Sequence, residues 1–303
     1  MICINCCYPV DSLYVVYSSN HIRLTDCPRC KKVVDRYVEF DNVLLFIDLL
    51  LLKSGAYRHL VYNSLESTLE KYPSKTKSTQ LPRTFGDEVA GTISDFREWF
   101  VKFDQLNRVW VLIFAFEVYL TWVSEERKYQ TYSHYYPADL DLLMSKILSG
   151  DALSQYFYFA VYCILDLMLL HNLTQYLLVN WTDWGRNIKY AKYVVSYTIL
   201  LSYGAKIFPI LMLIWPYDTL LSTSIIKWVA NLYIIEALKI VTNLRYREVV
   251  RNFVIIFIVR CLCVKPILAI LVSKGDYNLC IHYIRGEYEM FLHRFLSGKY
   301  FYV

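Results

Sequence analysis

Four cysteines near the N-terminus have the residue type and spacing of metal ligands. Cys3 and Cys6 form one Cys-x-x-Cys motif, and Cys27 and Cys30 form a second. Each motif turns tightly enough to direct two sulfurs at one ion, and two such motifs complete a tetrahedron, as in a zinc ribbon. We therefore predict a zinc ion bound by these four thiolates. With no open coordination position, its role is structural and not catalytic.

Two alternatives to this ligand set stay open from the sequence. Cys7 adjoins Cys6 and can compete for the ion, although the spacing of Cys6 from Cys3 matches that of the second motif. The cysteines can also be disulfide-bonded or inert. No cleavable signal peptide precedes the motifs, which favours a reducing compartment and hence metal binding.

The residues between the two motifs are prone to form strands. We predict strands from Leu13 to Tyr17 and from Ile22 to Leu24, joined by a turn at residues 18–21. Residues 1–40 are therefore predicted to be a small β unit, the zinc ribbon. So few residues cannot bury a core large enough for stability, so the unit should depend on its metal.

An apolar run follows from Val43 to Leu52, after the potential helix caps Asp41 and Asn42. It is too short to cross a bilayer, which takes about 20 residues. We predict an amphipathic helix within residues 41–66 that lies on a membrane surface or on a partner. Since Asp48 interrupts the run, a buried core helix is the alternative.

The two motifs, together with two later segments, closely resemble the signature domain of the Arv family, which are endoplasmic-reticulum membrane proteins of lipid homeostasis. These segments read Asp41-Asn42-Val43-Leu44-Leu45-Phe46-Ile47-Asp48 and Ala56-Tyr57-Arg58-His59-Leu60-Val61-Tyr62-Asn63. The resemblance continues through residues 196–209, as in fungal members.

The resemblance implies a non-catalytic role in distributing sterols and sphingolipids and in supplying glycosylphosphatidylinositol (GPI) intermediates. Its partners would be these lipids and possible GPI-biosynthesis enzymes. The alternative is a scaffold or accessory subunit that docks on a GPI-biosynthetic glycosyltransferase complex through residues 56–63. Candidate lipid or partner contacts in this domain are Asp48, Tyr57, Arg58, His59 and Asn63.

The composition independently indicates a membrane protein. The chain has 303 residues, of which 56% are hydrophobic, and its mean hydropathy is +0.30, too apolar for an ordinary soluble domain. A net charge of +5 does not indicate nucleic-acid binding. Neither a metalloprotease motif, a glycine-rich phosphate loop nor a nucleophile elbow is present, so we predict a non-enzyme. An unrecognised membrane transferase is the open alternative.

We predict an all-α multi-pass membrane protein with about five transmembrane helices, attached to the small N-terminal zinc-ribbon β unit. A polar linker spans residues 67–98, and a transmembrane bundle spans 99–272. A lumenal amphipathic tail, which can instead cap the bundle, spans 273–303. The spans lie at about 106–123, 156–179, 194–215, 219–241 and 253–272.

The orientation follows from the basic residues in the short loops. The loop after the second span carries Arg186, Lys189 and Lys192, and the loop after the fourth carries Arg245, Arg247 and Arg251. Because such residues mark cytoplasmic loops, the N-terminus is predicted to be cytosolic and the C-terminus lumenal.

Four charged residues fall near the middle of the predicted spans: Glu117, Asp166, Lys206 and Arg260. Each unpaired charge at that depth would cost about 3 kcal/mol. They should therefore face the interior of the bundle. They can neutralise one another as structural ion pairs, or they can line a polar groove along which a lipid headgroup passes.

Overall fold

The structure is a computed structural model that describes residues 1–17, 21–71, 104–132, 143–186, 188, 190–204 and 219–296. Most of the predicted linker, Lys206 and the second half of the predicted third span lie outside these residues. The chain divides into two compact units. The N-terminal unit comprises Met1–Leu112, Tyr197–Ser202 and Glu236–Asn243, and the helical unit comprises Ile113–Ser196, Tyr203–Ile235 and Leu244–Val303.

The N-terminal unit contains a two-stranded antiparallel sheet. Strand β1, Tyr14–Tyr17, pairs with β2, His21–Leu24, so that Tyr14 lies opposite Leu24 and Tyr17 opposite His21. The β-branched residues between these ends favour an extended backbone. The strands begin within one residue of the predicted positions, because local composition determines them. The predicted turn at residues 18–21 lies outside the described residues except for His21, which begins β2 and is not part of a turn.

Short helices follow the sheet in the N-terminal unit. A 3-10 helix, Arg36–Glu39, precedes α1, Asn42–Leu50, and α2, Ser54–Arg58. A π-helical turn, His59–Ser64, then leads into α3, Leu65–Lys71. Helix α2 approaches the 3-10 helix closely: a Cβ at Gly55 would lie 3.0 Å from the Tyr37 ring. Glycine therefore permits this packing, and a larger residue would displace the ring.

Seven further helices are described beyond residue 103. They are α4 Asp104–Tyr132, α5 Leu143–Leu148, α6 Ala152–Asn180, α7 Ala191–Ser202, α8 Thr219–Thr242, α9 Tyr246–Val272 and α10 Tyr277–Leu296, with a 3-10 turn at Asp183–Arg186. The prediction of a mostly helical chain with a small N-terminal sheet is confirmed. Within the described residues, α6 and α9 are long and apolar enough to cross a membrane. The other three predicted spans stay predictions.

The core of the helical unit forms where α6 and α9 pack antiparallel. Phe159 and Cys163, near the start of α6, share a buried cluster with Leu268 and Ala269, near the end of α9. The same cluster includes residues of α5 and α10. Large apolar side chains such as Met168 of α6 remain exposed on the outer faces. This pattern suits helices that pack with one another on one side and meet acyl chains on the other.

The last helix is attached to this core by an ion pair as well as by apolar contacts. The Lys265 Nζ of α9 donates a hydrogen bond of 2.5 Å to the Glu287 carboxylate of α10, which is almost fully buried. Cys280 and Tyr283 of α10 are buried in the α6–α9 core. Helix α10 therefore packs on the bundle, in agreement with the capping alternative considered for the tail.

Candidate metal centre

Two turns with the same backbone geometry carry the Cys-x-x-Cys motifs. The Cys7 N–H donates to the Cys3 carbonyl over 2.9 Å, and the Lys31 N–H donates to the Cys27 carbonyl over 2.9 Å. Cys7 and Lys31 both have φ of 57°, in the left-handed region. Each turn thus reverses the chain immediately after its second cysteine, and this reversal brings both sulfurs to one side.

The four predicted ligand atoms lie together. The sulfurs of Cys3, Cys6, Cys27 and Cys30 all lie within 4.8 Å of one another. The Cys3 and Cys30 sulfurs are 3.8 Å apart, and those of Cys6 and Cys27 are 3.6 Å apart. A tetrahedral ion with metal–sulfur bonds of about 2.3 Å requires about 3.8 Å between sulfurs. These cysteines can therefore hold a metal ion without rearrangement of the turns.

The structure separates Cys7 from this cluster. Cys7 occupies the turn position that Lys31 occupies in the second motif, and its sulfur is not among the four that converge. The sequence left open whether Cys6 or Cys7 is the second ligand from the first motif, and the structure favours Cys6. All nine cysteines are free thiols, so the disulfide alternative has no support in this structure.

The backbone of the turns stabilises negative charge on the sulfurs. The Cys30 N–H, followed by that of Arg29, donates to the Cys27 sulfur and lowers the pKa of Cys27 to about 7. Burial raises the pKa of Cys3 to about 12, because desolvation disfavours a lone thiolate. A bound cation would remove that penalty. The donor set of four soft thiolates fits zinc or a comparable soft metal.

The buried carboxylate of Asp35 bonds to the π-helical turn, which in turn bonds to the residue before the first cysteine turn. Asp35 has no solvent exposure, and its Oδ2 accepts a 2.6 Å hydrogen bond from the Asn63 Nδ2 and lies 2.7 Å from the His59 Nδ1. The Asn63 side chain also pairs with the Ile2 backbone, donating to its carbonyl over 3.0 Å and accepting from its N–H over 2.8 Å. The π-helical turn is thereby fixed to the residue before Cys3.

Arg58 holds the first turn directly. Its guanidinium donates to the carbonyl of Ile4 over 2.9 Å and to that of Asn5 over 3.3 Å. These carbonyls belong to the two residues between the cysteines of the first motif. The cation therefore orders the metal-binding loop. Burial raises the pKa of Cys7, and the positive charge of Arg58 opposes that increase.

A second carboxylate connects α1 to the 3-10 helix. The Tyr37 hydroxyl donates to Asp48 over 2.9 Å, and the Lys53 Nζ donates to the other oxygen of Asp48 over 2.6 Å. The bond from Lys53, followed by that from Tyr37, lowers the pKa of Asp48. Asp48 is thus buried and ionised, and it fixes α1 to the 3-10 helix. The alternative that α1 is a buried core helix does not hold, because most of its other side chains are exposed.

The residues named as lipid or partner contacts in this domain all contribute to the N-terminal unit itself. Asp48, Tyr57 and Asn63 are almost fully buried, while Arg58 and His59 bond to the metal-binding loop and to Asp35. A contact with lipid or partner stays a prediction for them. Sequence reasoning missed the supporting residues Asp35, Tyr37 and Lys53, for which no local motif gives a signal.

The structure pairs two of the four charges from the predicted spans. Arg260 of α9 and Asp166 of α6 form a two-bond ion pair, in which the Nε donates to Oδ1 over 2.7 Å and an Nη donates to Oδ2. Glu117 lies on α4 and is partly buried. Lys206 lies outside the described residues. The pair thus joins two helices at points 94 residues apart in the chain.

Replacing Asn63 tests the support behind the metal loop. We expect Asn63→Leu to destabilise the unit by about 3 kcal/mol, because it leaves the Ile2 backbone and Asp35 unpaired in a buried site. The metal should then pass faster to a chromogenic chelator from the purified full chain. Asn5→Leu is the matched control, since the Asn5 side chain makes an exposed hydrogen bond to the Val33 carbonyl. Equal release rates in the two variants would contradict the role of Asn63.

Known proteins match this chain over nearly its whole length. Residues 2–238 match the model of the Arv1-like family. The chain is 56% identical over 305 residues to the protein ARV1 of Eremothecium gossypii, and 51% identical over 321 residues to that of Saccharomyces cerevisiae, with 99% of each chain covered in both cases. It is 33% identical to the protein ARV1 of Candida albicans over 96% of this chain and 97% of that protein. No solved structure matches the chain.

Proposed function

The chain belongs to the Arv1-like family, as its N-terminal motifs predicted, and from this premise we propose that it moves or presents membrane lipids in the endoplasmic reticulum without catalysing a reaction. The proposed cargo comprises sterols, sphingolipids and GPI intermediates, the lipids that the family resemblance implies. Two candidate membrane helices indicate a membrane protein, which is the environment that such a role requires.

The observation that carries this proposal is the ion pair between Asp166 and Arg260. Asp166 lies fourteen residues from each end of α6, and Arg260 lies fourteen residues after the start of α9. The pair is therefore near the middle of two membrane-length helices. The Asp166 side chain is 27% exposed, and the Arg260 side chain is 17% exposed. An ion pair at that depth is polar but has no net charge. It can therefore form hydrogen bonds with a lipid headgroup while the lipid tails lie against the apolar outer faces of the helices.

The metal centre supports a role without catalysis. Four thiolates leave no open position at which a bound water could be activated. Among the residues that the structure describes, no second group of histidines, cysteines and carboxylates converges as metal ligands do. We propose that the ion is zinc and that the sheet and the two turns form a zinc ribbon whose task is to fold the N-terminal unit.

We also propose that the segments at about 106–123, 194–215 and 219–241 cross the bilayer together with α6 and α9. This arrangement gives five spans, a cytosolic N-terminus and a lumenal C-terminus, as the basic residues at 186–192 and 245–251 favour. The structure places Arg247 and Arg251 in the first turns of α9 and not in a loop. The proposed alternative function is an accessory subunit of a GPI-biosynthetic glycosyltransferase complex. This alternative involves the same metal centre and the same bundle. It differs because the protein would act only together with the glycosyltransferase complex.

Lipid movement in liposomes that contain only this protein tests the proposal. Labelled sterol and labelled GPI precursor should cross the bilayer faster than in protein-free liposomes. The double variant Asp166→Leu/Arg260→Met removes the polar position but keeps the side-chain volume. It should lower the rate about tenfold, as expected when an interaction of about 1.4 kcal/mol is lost.

The matched control is Arg285→Met/Glu289→Leu, which removes an ion pair on the exposed side of α10. This control should move lipid at the unaltered rate. Movement no faster than in protein-free liposomes, by protein that is verified as folded and metal-loaded, would contradict the proposal and favour the accessory subunit. Unchanged movement by the double variant would leave lipid transport standing but exclude the ion pair as its path.

A further inference from the structure

Asn252 of α9 carries a side-chain amide that is buried without a partner. The residue is 3% exposed. Among the residues that the structure describes, neither its Nδ2 nor its Oδ1 has a hydrogen-bond partner. Buried polar groups in native proteins are almost always hydrogen-bonded, because an amide loses its bonds to water when it is buried. The amide is therefore suited to bind a further group that both accepts and donates a hydrogen bond.

This amide belongs to the interface between α6 and α9. The ion pair of Asp166 with Arg260 fixes the register of these antiparallel helices. Asn252 lies eight residues before Arg260, and Thr174 lies eight residues after Asp166. The two residues are therefore at the same level of the helix pair. Thr174, like Asn252, is almost fully buried, so both lie inside the helical unit at this level.

Thr174 supplies a second polar group at the level of the amide. Its hydroxyl donates to the Leu170 carbonyl over 2.6 Å, so its oxygen can still accept a hydrogen bond. Asn252 and Thr174 together offer one donor, the amide NH2, and two acceptor oxygens. A hydroxyl is a small uncharged group that accepts and donates at one oxygen. An ionised carboxylate cannot donate, and an ammonium cannot accept.

The neighbouring side chains at this level are polar and uncharged as well. His171 and Gln175 lie on the turns of α6 that contain Thr174. The Gln175 Nε2 donates over 2.5 Å to the Ser196 Oγ of α7, and this Oγ lies 2.9 Å from the His171 Nε2. These three side chains are partly exposed. None of the five residues is an acid, a lysine or an arginine, so this level favours an uncharged ligand.

The depth of this level suits the hydroxyl of a lipid. Thr174 lies six residues before the end of α6, and Asn252 lies six residues after the start of α9. Eight helical residues rise about 12 Å, and the hydrocarbon core of a bilayer is about 30 Å thick. With the ion pair near the middle of the bilayer, Asn252 lies a few ångströms below the polar headgroups. The hydroxyl of an uncharged amphipathic lipid can reach this depth.

We propose that Asn252 and Thr174 form a site for one uncharged hydroxyl group. This group accepts a hydrogen bond from the Asn252 Nδ2 and donates to the Asn252 Oδ1 or to the Thr174 Oγ. It belongs either to an uncharged lipid or to an internal water molecule, which satisfies buried polar groups in the same way. The proposal goes beyond the proposed function, because the site lies away from the ion pair and does not require that lipid moves.

Thermal unfolding of the full chain in lipid nanodiscs tests this site, with loss of the helical circular dichroism signal as the readout. Leucine has nearly the shape of asparagine but no polar atom, so Asn252→Leu removes the bonds to the hydroxyl. If the amide bound nothing, the same change would stabilise the protein, because it would remove a buried group that has no partner. The direction of the shift in the unfolding midpoint therefore distinguishes the two cases.

We expect Asn252→Leu to lower the midpoint by about 4–8 °C, as the loss of two hydrogen bonds would in a protein of this size. Asn252→Met should lower it too, and its flexible side chain controls for a poor fit of leucine. Asn172→Leu, on the exposed face of α6, is the matched control and should change the midpoint by less than about 2 °C.

The lipid composition of the nanodiscs identifies the source of the hydroxyl. The discs contain phosphatidylcholine alone, or with cholesterol, with diacylglycerol, or with the methyl ether of cholesterol, which cannot donate a hydrogen bond. A midpoint that rises with a hydroxyl lipid but not with the ether, and only when Asn252 is present, assigns the hydroxyl to that lipid. An equal deficit of Asn252→Leu in all discs assigns it to water. If Asn252→Leu or Asn252→Met unfolds at or above the midpoint of the unaltered protein in every disc, the proposal is overturned.

Discussion

The Cys27→Ser variant should lose its metal and the folded structure of residues 1–40, while the helices of the bundle stay inserted. Structural zinc contributes about 10–16 kcal/mol to the folding of small domains. The buried cluster of this unit consists of Cys3, Leu13, Cys27 and Val34, so two of its four members are themselves ligands. Without the metal, Leu13 and Val34 cannot supply a sufficient core.

Metal content per chain and limited proteolysis of the purified protein measure this effect. Cys27→Ser should contain less than about a tenth of a metal ion per chain and should be cleaved within the N-terminal residues, because three thiolates do not complete the tetrahedral site and the unit depends on its metal for folding. Cys7→Ser is the matched control and should keep its metal, because Cys7 supplies backbone geometry and not a ligand. A Cys27→Ser protein with one ion per chain would contradict the four-thiolate site.

Removing one partner of the ion pair in the bundle should destabilise the protein by about 3–5 kcal/mol. Both Asp166→Leu and Arg260→Met leave a charge that is no longer compensated near the middle of a membrane helix. The double variant should be close to the stability of the unaltered protein, because apolar residues of similar volume often replace a buried ion pair without loss.

Unfolding of the reconstituted helices by a denaturing detergent measures these differences. The exposed pair of Arg285 and Glu289 again supplies the control: Glu289→Leu should change stability by less than about 1 kcal/mol. If the costs of Asp166→Leu and Arg260→Met simply added in the double variant, the two residues would not be coupled, and the pairing between α6 and α9 would be wrong.

The local features of the N-terminal unit were predictable from the sequence. The sheet and the beginning of α1 at Asn42 follow from residues within a few positions of one another, and the convergence of the two cysteine turns follows from their repeated spacing. Turn residues, β-branched side chains and the repeated Cys-x-x-Cys spacing determine them. The same reasoning preferred Cys6 over Cys7, and the structure places Cys6 with the other three ligands.

The side chains that stabilise the metal centre from outside the two motifs were not predictable from the local sequence. Asp35 contacts His59 and Asn63, which are 24 and 28 residues away in the chain, and Arg58 contacts Ile4 across 54 residues. These partners depend on how the short helices fold back on the sheet. The π-helical turn at His59–Ser64, which brings His59 and Asn63 to the same carboxylate, has no sequence signal of its own.

The helical unit shows the same division between local and distant features. Apolar composition predicted α6 and α9, because a run of twenty or more such residues has few other outcomes. It could not decide which of the buried charges pair, since Asp166 and Arg260 meet only once α6 and α9 lie antiparallel. The contact of Lys265 with Glu287 likewise depends on α10 folding back on the bundle.

X-ray absorption at the zinc edge of the purified full chain tests the central claim, that four N-terminal thiolates hold one structural metal ion. We predict a single zinc per chain with four sulfur neighbours at about 2.3 Å and no oxygen or nitrogen neighbour. The Cys7→Ser variant should give the same spectrum. A nitrogen or oxygen atom in the coordination shell, or a spectrum that changes in Cys7→Ser, would contradict the assignment of Cys3, Cys6, Cys27 and Cys30 as the complete ligand set.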